Sequence, residues 1–378
     1  MAGFRKAVKK VVPKVDLQSY NVLVAGGFKS GKTRLWKEVM ELHYPNDPDA
    51  GTLLAFEPGY NTWELDSVIP MHDYDWKFFK NEVVKGLLDE AKTNRITKVI
   101  GIDTVDRMMD MASEYILEQI NKKYGKSFTS LQEITENIKG ENGWTLLKKE
   151  VWKQIDLLKN AGYGFFWLAW TKEKETTTID GLKYNSIELM MSKTGSDIFA
   201  SQADLTCTLF SEVKVLDKEG NELETNVKTK AGKEVASKFH TTEVNMYFLP
   251  SNYIGIAGGR FTELPEKVLY SAENFMEVFE EAVKGQLKKT KKSVEQLKTE
   301  EVEQREEKAK EFVEKVESDP AEILSQIDTV IASMTKEQKT VAAGKFKEKF
   351  GVNNYKQESG NIENLKIALD IVNGIVAN

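Results

Sequence analysis

Short apolar runs alternate with amphipathic segments over the first half of the chain. The runs predict buried strands at residues 22–25, 52–56, 99–102, 165–170 and 205–210. The segments between them have helical periodicity and predict helices at residues 33–43, 76–93, 105–124 and 144–160. Strands that alternate with helices indicate an α/β fold, with a mainly parallel sheet covered by helices on both faces.

The pattern changes after residue 210. Further strands are predicted at residues 214–216, 243–249 and 253–256, joined by polar turns, with a helix at 272–283. These strands predict an antiparallel extension at one edge of the sheet.

The last quarter of the chain differs again in composition. Residues 285–318 are dominated by Lys, Glu and Gln, which is typical of a solvated helical linker. Pro320 suits a first helical position, and Thr335 with Gln338 has capping-box spacing. An apolar stripe along residues 362–375 predicts a third helix. We therefore predict a small three-helix module, which buries too little surface to be very stable alone.

These patterns divide the chain into four parts. A basic amphipathic segment covers residues 1–19, and the α/β domain covers residues 20–284. The helical linker covers residues 285–318, and the small helical module covers residues 319–378.

Composition excludes several classes of protein. The 378 residues carry a net charge of −6, which argues against coating of duplex DNA through bulk charge. One cysteine allows no internal disulfide and fits a reducing compartment, and three scattered histidines do not suggest a structural zinc site. Apolar runs fall far short of the roughly 20 residues that span a bilayer, and the basic start lacks the apolar core of a secretory signal. We expect a cytoplasmic protein without a membrane segment.

The loop after the first predicted strand matches the phosphate-binding pattern G-x-x-x-x-G-K-[ST]. It follows an apolar strand and opens a helix, which is the context the motif requires. Glycines allow backbone N–H groups to surround phosphates, and the helix N-terminus adds partial positive charge. The matching residues and the next one are Gly26, Gly27, Phe28, Lys29, Ser30, Gly31, Lys32, Thr33 and Arg34. We predict that this loop binds ATP, with Lys32 on the outer phosphates and Thr33 on Mg²⁺.

Two carboxylates end predicted strands. Asp103 closes the apolar strand at 99–102, where an acid can hold Mg²⁺ beside the phosphate loop. Glu57 follows the strand at 52–56 and precedes Pro-Gly. A carboxylate in that position can orient or deprotonate the attacking water, so Glu57 is the predicted general base.

The phosphate loop, Glu57 and Asp103, in this order, resemble the RecA-like P-loop ATPases. More narrowly, the chain resembles the Sak-type recombination proteins of bacteriophages, a group of phage AAA or ATP-binding proteins, over residues 20–283. The resemblance implies a RecA-like P-loop NTPase fold and a homo-oligomer, either a ring or a filament. It places Thr171 at a polar sensor position near the γ-phosphate, where RecA itself has glutamine. It makes Arg260 a candidate finger that reaches the nucleotide of a neighbouring subunit.

The same resemblance implies single-stranded DNA as the partner. Two predicted loops are candidates to face it, residues 127–143 and residues 172–194. The second carries Tyr184 as a stacking side chain and several lysines that can follow a phosphate backbone. These lysines are Lys172, Lys174, Lys183 and Lys193.

The motifs are compatible with more than one function. The leading one is an ATPase that acts with single-stranded DNA in phage recombination or replication. The alternative is an accessory module in which ATP holds a conformation with little hydrolysis, while the C-terminal helices recruit a partner such as a single-strand binding protein. A small-molecule kinase is disfavoured because no arginine-rich lid is evident. A GTPase is disfavoured because residues 121–124, Asn-Lys-Lys-Tyr, lack the aspartate of the guanine-binding motif N-K-x-D. A packaging motor is disfavoured because the C-terminal module is too small to be a nuclease domain. The motifs leave open which DNA transaction is served.

Overall fold

The computed structural model describes residues 8, 12–217, 219, 221–222, 227–228, 234–235, 237, 239–287 and 292–376. Residues 1–7 and 9–11 of the predicted basic N-terminal segment lie outside the described residues. The chain divides into two units. One consists of Met1–Glu90 with Asn94–Arg305, and the other of Ala91–Thr93 with Glu306–Asn378. The finer four-part division stays a prediction.

The elements follow the predicted alternation closely. The helices are α1 Lys32–His43, α2 Trp76–Phe78, α3 Lys85–Lys92, α4 Val105–Tyr124, α5 Leu131–Asn137, α6 Gly143–Asn160, α7 Lys193–Gln202, α8 Ala272–Gln286, α9 Val294–Glu317, α10 Pro320–Ser333, α11 Lys336–Phe350 and α12 Ile362–Val376. The strands are β1 Asn21–Gly26, β2 Gly51–Ala55, β3 Val68–Ile69, β4 Val99–Asp103, β5 Gly164–Thr177, β6 Lys183–Leu189, β7 Leu205–Leu216, β8 Val227–Lys228, β9 Glu234–Val235, β10 Phe239–Tyr247, β11 Gly258–Gly259 and β12 Lys267–Leu269. A π-helical turn, Phe79–Val84, joins α2 to α3, so the helix predicted at 76–93 is present with one widened turn.

Ten of the described strands form one sheet, in the order β12-β10-β7-β1-β5-β4-β2-β3, with β6 beside β5 and β11 beside β7. All neighbours from β7 to β3 are parallel. The strands β6, β10, β11 and β12 pair antiparallel, while β8 and β9 pair with each other. This topology confirms the predicted α/β fold, a mainly parallel sheet with an antiparallel extension. The strand β1 lies at the centre of the sheet, between β7 and β5. Open α/β sheets bind ligands at the carboxyl ends of such central strands, where the order of the strands along the sheet reverses.

Helices cover both faces of the sheet, which explains why the strands are apolar runs and not alternating ones. On one face, Phe166 of β5 lies 5.5 Å from Trp36 of α1 and 5.7 Å from Phe275 of α8, measured between ring centroids. On the other face, the next residue, Trp167, lies 5.2 Å from Phe199 of α7. All five of these rings are buried. The sheet is therefore packed on both faces by aromatic side chains.

The parallel register brings several strand ends to one edge. Gly26 of β1 pairs with Trp170 of β5, and Asp103 of β4 pairs with Leu168 of β5. Ala55, the last residue of β2, pairs with Asp103. The segments that follow β1, β2 and β4 therefore leave the sheet side by side. Residues far apart in sequence meet there for this reason alone.

The helix α9 differs from the fully solvated helix that its composition suggests. Its Glu301 and Arg305 are both buried and form an i,i+4 ion pair of 2.8 Å. Glu301 accepts the backbone N–H of Val15 at 2.8 Å, and Arg305 donates to the side chain of Gln18 at 2.6 Å. The first half of α9 is thus fastened to the segment before β1. Charge composition alone does not distinguish such a buried pair from solvated charges.

The second unit contains the predicted three helices. Its core includes Ile327 of α10, Phe346 of α11 and Val372 of α12. The expected capping box is present at the start of α11, where Thr335 and Gln338 satisfy each other's backbone N–H groups. The three-helix module is therefore confirmed, with a core of its own.

Candidate functional site

The loop between β1 and α1 has the backbone of an anion-binding turn. Lys29 and Gly31 both have left-handed conformations, with φ of 59° and 95°. Such alternations turn successive N–H groups toward one concavity. A Cβ atom at Gly31 would lie 2.9 Å from the hydroxyl oxygen of Tyr270, so glycine is required there for space as well as conformation. The Ser30 hydroxyl is buried and has no hydrogen-bond partner among the described residues, which leaves it available to a phosphate.

Lys32 folds over this loop. Its Nζ donates to the backbone carbonyls of Gly26 at 3.0 Å and Gly27 at 2.9 Å, and the side chain is only 7% exposed. Burial lowers the pKa of Lys32, and the negative charges of Asp103 and Glu57 oppose that shift. The loop therefore holds a partly desolvated ammonium group at the position from which the lysine of P-loop proteins contacts the outer phosphates.

Thr33 and Asp103 meet across the gap between α1 and β4. The Thr33 hydroxyl donates to a carboxylate oxygen of Asp103 at 2.6 Å, and Asp103 is 2% exposed. Burial raises the pKa of Asp103, while the Thr33 hydrogen bond and the charge of Lys32 lower it. A hydroxyl beside a carboxylate is the pair that holds Mg²⁺ in P-loop proteins. The described residues contain no cluster of three or more His, Cys, Asp or Glu able to hold a metal.

Glu57 lies in a loop that is fastened to Asp103. The backbone N–H groups of Phe56 and Glu57 donate to the Asp103 carbonyl at 2.7 and 3.2 Å. A Cβ atom at Gly59 would lie 3.9 Å from the Thr33 hydroxyl and 4.0 Å from the Asp103 carboxylate. Burial, followed by repulsion from Asp103, raises the pKa of Glu57 to about 7. The structure thus brings the predicted base to the predicted metal pair, with a pKa suited to proton transfer near neutrality.

Asp106 is a buried acid that sequence reasoning missed. It lies in the first turn of α4, and its carboxylate accepts the backbone N–H of Trp170 at 2.8 Å. Burial raises the pKa of Asp106 to about 6, and Lys32 is among the charges that lower it. The sequence could have indicated Asp106 as a residue of the site, because it follows Asp103 by three residues at a predicted helix start.

Thr171 lies at the same edge of the sheet. It follows Trp170, the residue of β5 that pairs with the first glycine of the loop, Gly26. Thr171 itself pairs with Leu189 of β6 and is half-buried. The backbone therefore places the predicted sensor position next to the phosphate loop.

Arg260 is not brought to the phosphate loop of its own chain. It follows β11, which pairs with Leu205 and Thr206 at the start of β7, whereas Gly26 pairs with Leu209 further along that strand. At about 3.3 Å per residue, the four positions from Leu205 to Leu209 span roughly 13 Å of strand. The Arg260 guanidinium forms an ion pair of 3.1 Å with Asp204. The structure therefore does not bring Arg260 into the group formed by Lys32, Thr33, Glu57 and Asp103.

Tyr270 is a second residue at the loop that sequence reasoning missed. It follows β12, 239 positions after Gly31, and its hydroxyl donates to the Gly31 carbonyl at 2.9 Å. The Arg34 guanidinium lies 5.9 Å from the Tyr270 ring centroid, and burial raises the pKa of Tyr270 to about 12. No local pattern marked this residue, because only the antiparallel sheet extension carries it to the loop.

The two predicted DNA-facing loops have more structure than expected. The first contains α5, which is capped by the Ser130 hydroxyl. The second forms an antiparallel hairpin of β5 and β6 and then enters α7. At the tip of the hairpin, the apolar side chains of Ile179 and Leu182 are exposed. Lys183 pairs with Glu175 at 2.7 Å, so the positive charge of this hairpin is partly neutralised.

The fold and the site define the class of protein, a P-loop NTPase. The family model described as "AAA domain" matches residues 18–244, and the chain belongs to that family. Among solved structures, the chain is similar to a KaiC-like protein, PH0186, from the hyperthermophilic archaeon Pyrococcus horikoshii OT3. The two are 12% identical, with a TM-score of 0.31, over 72% of this chain and 96% of the other. A search of curated proteins found no match.

Membrane insertion through a helix finds no support in the described part of the chain. None of its helices combines the length and the apolar character that are needed to cross a bilayer.

Proposed function

We propose that the protein binds ATP with Mg²⁺ and hydrolyses it at the phosphate-loop site. One observation carries this proposal. The Glu57 carboxyl, whose pKa is raised to about 7, belongs to a loop that packs against the hydroxyl–carboxylate pair of Thr33 and Asp103. A site that only binds nucleotide has no need of a base in that position, whereas hydrolysis needs a group to orient and deprotonate water.

In this proposal, the phosphate loop binds the phosphates of the nucleotide. Its backbone N–H groups and the Ser30 hydroxyl donate to phosphate oxygens, and Lys32 exchanges its carbonyl contacts for the β- and γ-phosphates. The backbone donors belong to Gly27, Phe28, Lys29 and Gly31. Because these groups are fixed before the reaction, they stabilise developing charge without reorganisation.

Thr33 and Asp103 provide the metal position. Their side chains are hydrogen-bonded to each other, and both atoms are oxygens of the kind that Mg²⁺ prefers. Mg²⁺ held there neutralises charge on the phosphates. Glu57 then accepts the proton of the attacking water, while Thr171 offers a hydroxyl at the γ-phosphate end of the loop.

Arg34 and Tyr270 border the loop on the α1 side. The half-buried Tyr270 ring and the exposed Arg34 guanidinium lie 5.9 Å apart. Aromatic rings and guanidinium planes both stack on nucleobases. These two side chains are the proposed contacts of the adenine.

Arg260 completes the site of a neighbouring subunit in this proposal. Its remoteness from its own phosphate loop supports a head-to-tail arrangement, in which one end of the sheet faces the site of the next copy. Such heterologous contacts produce rings or filaments. The proposed assembly is therefore a homo-oligomer in one of these two forms.

Single-stranded DNA is the proposed partner, in phage recombination or replication. The resemblance to Sak-type proteins supports this role, and so does the β5–β6 hairpin, which leaves the sheet beside the phosphate loop and carries Lys172, Lys174 and the exposed ring of Tyr184. The test is the ATPase rate with no DNA, with single-stranded DNA and with duplex of the same sequence. We expect stimulation by the single strand. An unchanged rate, together with no binding of the labelled strand, contradicts the DNA role.

An accessory module is the second candidate function, because the C-terminal helices have a hydrophobic core of their own. In that case the C-terminal module recruits a partner such as a single-strand binding protein, and ATP acts as a conformational switch. Tight ATP binding with negligible turnover, with and without DNA, favours this second function over the first.

A further inference from the structure

Trp170 marks the point where β5 changes its neighbours. Through Trp170 the strand pairs in parallel with β1, and Gly26 is the last partner. From Thr171 onward the strand pairs antiparallel with β6, and the backbone N–H of Met190 donates to the Trp170 carbonyl at 2.8 Å. Trp170 is therefore the junction between the central sheet and the protruding β5–β6 hairpin.

The Trp170 ring contacts the phosphate loop directly. Its centroid lies 4.8 Å from that of Phe28, the third residue of the loop. Phe28 is 65% exposed, so this large apolar side chain is not part of the buried core. The two rings thus form a contact outside the core, between the loop and the end of the parallel part of β5.

The helix α4 holds Trp170 from another direction. Asp106 accepts the backbone N–H of Trp170 at 2.8 Å, and the Arg107 guanidinium lies 5.2 Å from the centroid of its ring. The other carboxylate oxygen of Asp106 is buried and has no hydrogen-bond partner among the described residues. Both the backbone and the ring of Trp170 are thus tied to elements that border the nucleotide.

We propose that Trp170 is a positioning residue that relays the state of the phosphate loop to the β5–β6 hairpin. The inference rests on the proposed nucleotide binding and extends it to the β5–β6 hairpin. Closure of the loop around phosphates shifts Phe28 against Trp170, while Asp106 and Arg107 hold the junction to α4. Nucleotide then favours one arrangement of the hairpin, because a ligand shifts an equilibrium by its difference in affinity for the two states. Couplings of this kind amount to roughly 5- to 150-fold.

Hydrogen exchange of the hairpin amides, residues 172–188, tests the relay. The full-length protein is compared without nucleotide and with saturating Mg²⁺-ATP or a non-hydrolysable analogue, and binding is measured separately by calorimetry. We expect nucleotide to change exchange in the hairpin by about fivefold or more in the wild type. Trp170→Leu is expected to lose that change at saturation, Trp170→Phe to restore most of it, and Trp144→Leu, at an exposed tryptophan of α6, to behave as the wild type.

The outcomes separate the two proposals. If the wild type binds nucleotide and the hairpin does not respond, the relay is overturned and the nucleotide site stands. A Trp170→Leu variant that responds as the wild type does, or that fails to bind nucleotide, also overturns the relay. The same holds if Trp170→Phe responds no better than Trp170→Leu. Absence of nucleotide binding by the wild type removes the proposed function and the relay together.

Discussion

The hydroxyl of Thr33 donates a hydrogen bond of 2.6 Å to the carboxylate of Asp103, although the two residues are 70 positions apart. Thr33 lies in the first turn of α1 and Asp103 ends β4. The contact therefore depends on the strand order, in which β5 separates β4 from β1. The Glu57 loop packs over the same pair. The chemistry proposed for this protein is concentrated at that contact.

Removal of the Thr33 hydroxyl is expected to weaken Mg²⁺ binding. Thr33→Ala deletes one metal ligand and leaves Asp103 without its hydrogen-bond donor, so the Mg²⁺ concentration for half-maximal ATPase activity should rise by about tenfold or more. Thr33→Ser keeps the hydroxyl and serves as the control, with a Mg²⁺ dependence close to that of the wild type. Equal Mg²⁺ titrations for the alanine and serine variants would argue against Thr33 as a ligand.

Glu57 is expected to reduce stability as the pH rises. Its folded-state pKa of about 7 lies above the ordinary value of 4.5, so the folded state binds the proton more tightly than the unfolded chain does. The free energy of unfolding therefore falls between pH 4.5 and pH 7 as the buried carboxyl ionises. Glu57→Gln removes this penalty, and its gain in Tm over the wild type should be larger at pH 8 than at pH 5.

A matched substitution checks that the effect belongs to the Glu57 site. Glu41 is an exposed acid of α1 that pairs with Lys37, and surface pairs of this kind contribute little to stability. Glu41→Gln should therefore show no gain in Tm that grows with pH. A Glu57→Gln gain that is equal at both pH values speaks against the raised pKa.

Tyr270 is expected to contribute through its ring more than through its hydroxyl. Tyr270→Phe loses one hydrogen bond to Gly31, worth about 0.5–1.5 kcal/mol, so the Kd for ATP should rise by roughly tenfold at most. Tyr270→Ala also loses base stacking, which is worth about 1–3 kcal/mol. Calorimetry that finds the same Kd for the phenylalanine and alanine variants contradicts contact with the adenine.

Arg260 is expected to act between subunits. Arg260→Ala should lower turnover, and mixing it with Glu57→Gln should restore part of the activity, since some interfaces then combine an intact Glu57 with an intact Arg260. Random equal mixing gives about a quarter of such interfaces. Asp204→Asn breaks the ion pair of Arg260 but keeps the guanidinium, and should retain activity. A mixture that stays as inactive as its components rules out a shared site.

The features that sequence predicted are those with a local signature. The phosphate loop is a continuous motif, and the buried strands are apolar runs because helices cover both faces of the sheet. Asp103 and Glu57 were found because strand ends of a parallel sheet share one edge. The capping box of Thr335 and Gln338 is likewise a pattern within four residues.

The features that sequence missed depend on contacts between distant segments. Tyr270 reaches Gly31 only because β12 extends the sheet, and Trp170 meets Asp106 only through the pairing of β4 with β5. The buried pair of Glu301 and Arg305 lies in a stretch whose composition matches a solvated helix. In each case the residue type was ordinary, and only the tertiary structure gave it a particular environment.

The central claim is that Glu57 makes this a hydrolytic site. It is tested most directly by phosphate release from Mg²⁺-ATP by the wild type and Glu57→Gln, with the Kd for ATP measured on the same preparations. We predict that Glu57→Gln binds ATP with an affinity close to that of the wild type and hydrolyses it about 10²- to 10⁴-fold more slowly, the range for loss of a general base. Unchanged phosphate release by a Glu57→Gln protein that binds ATP normally would contradict the account.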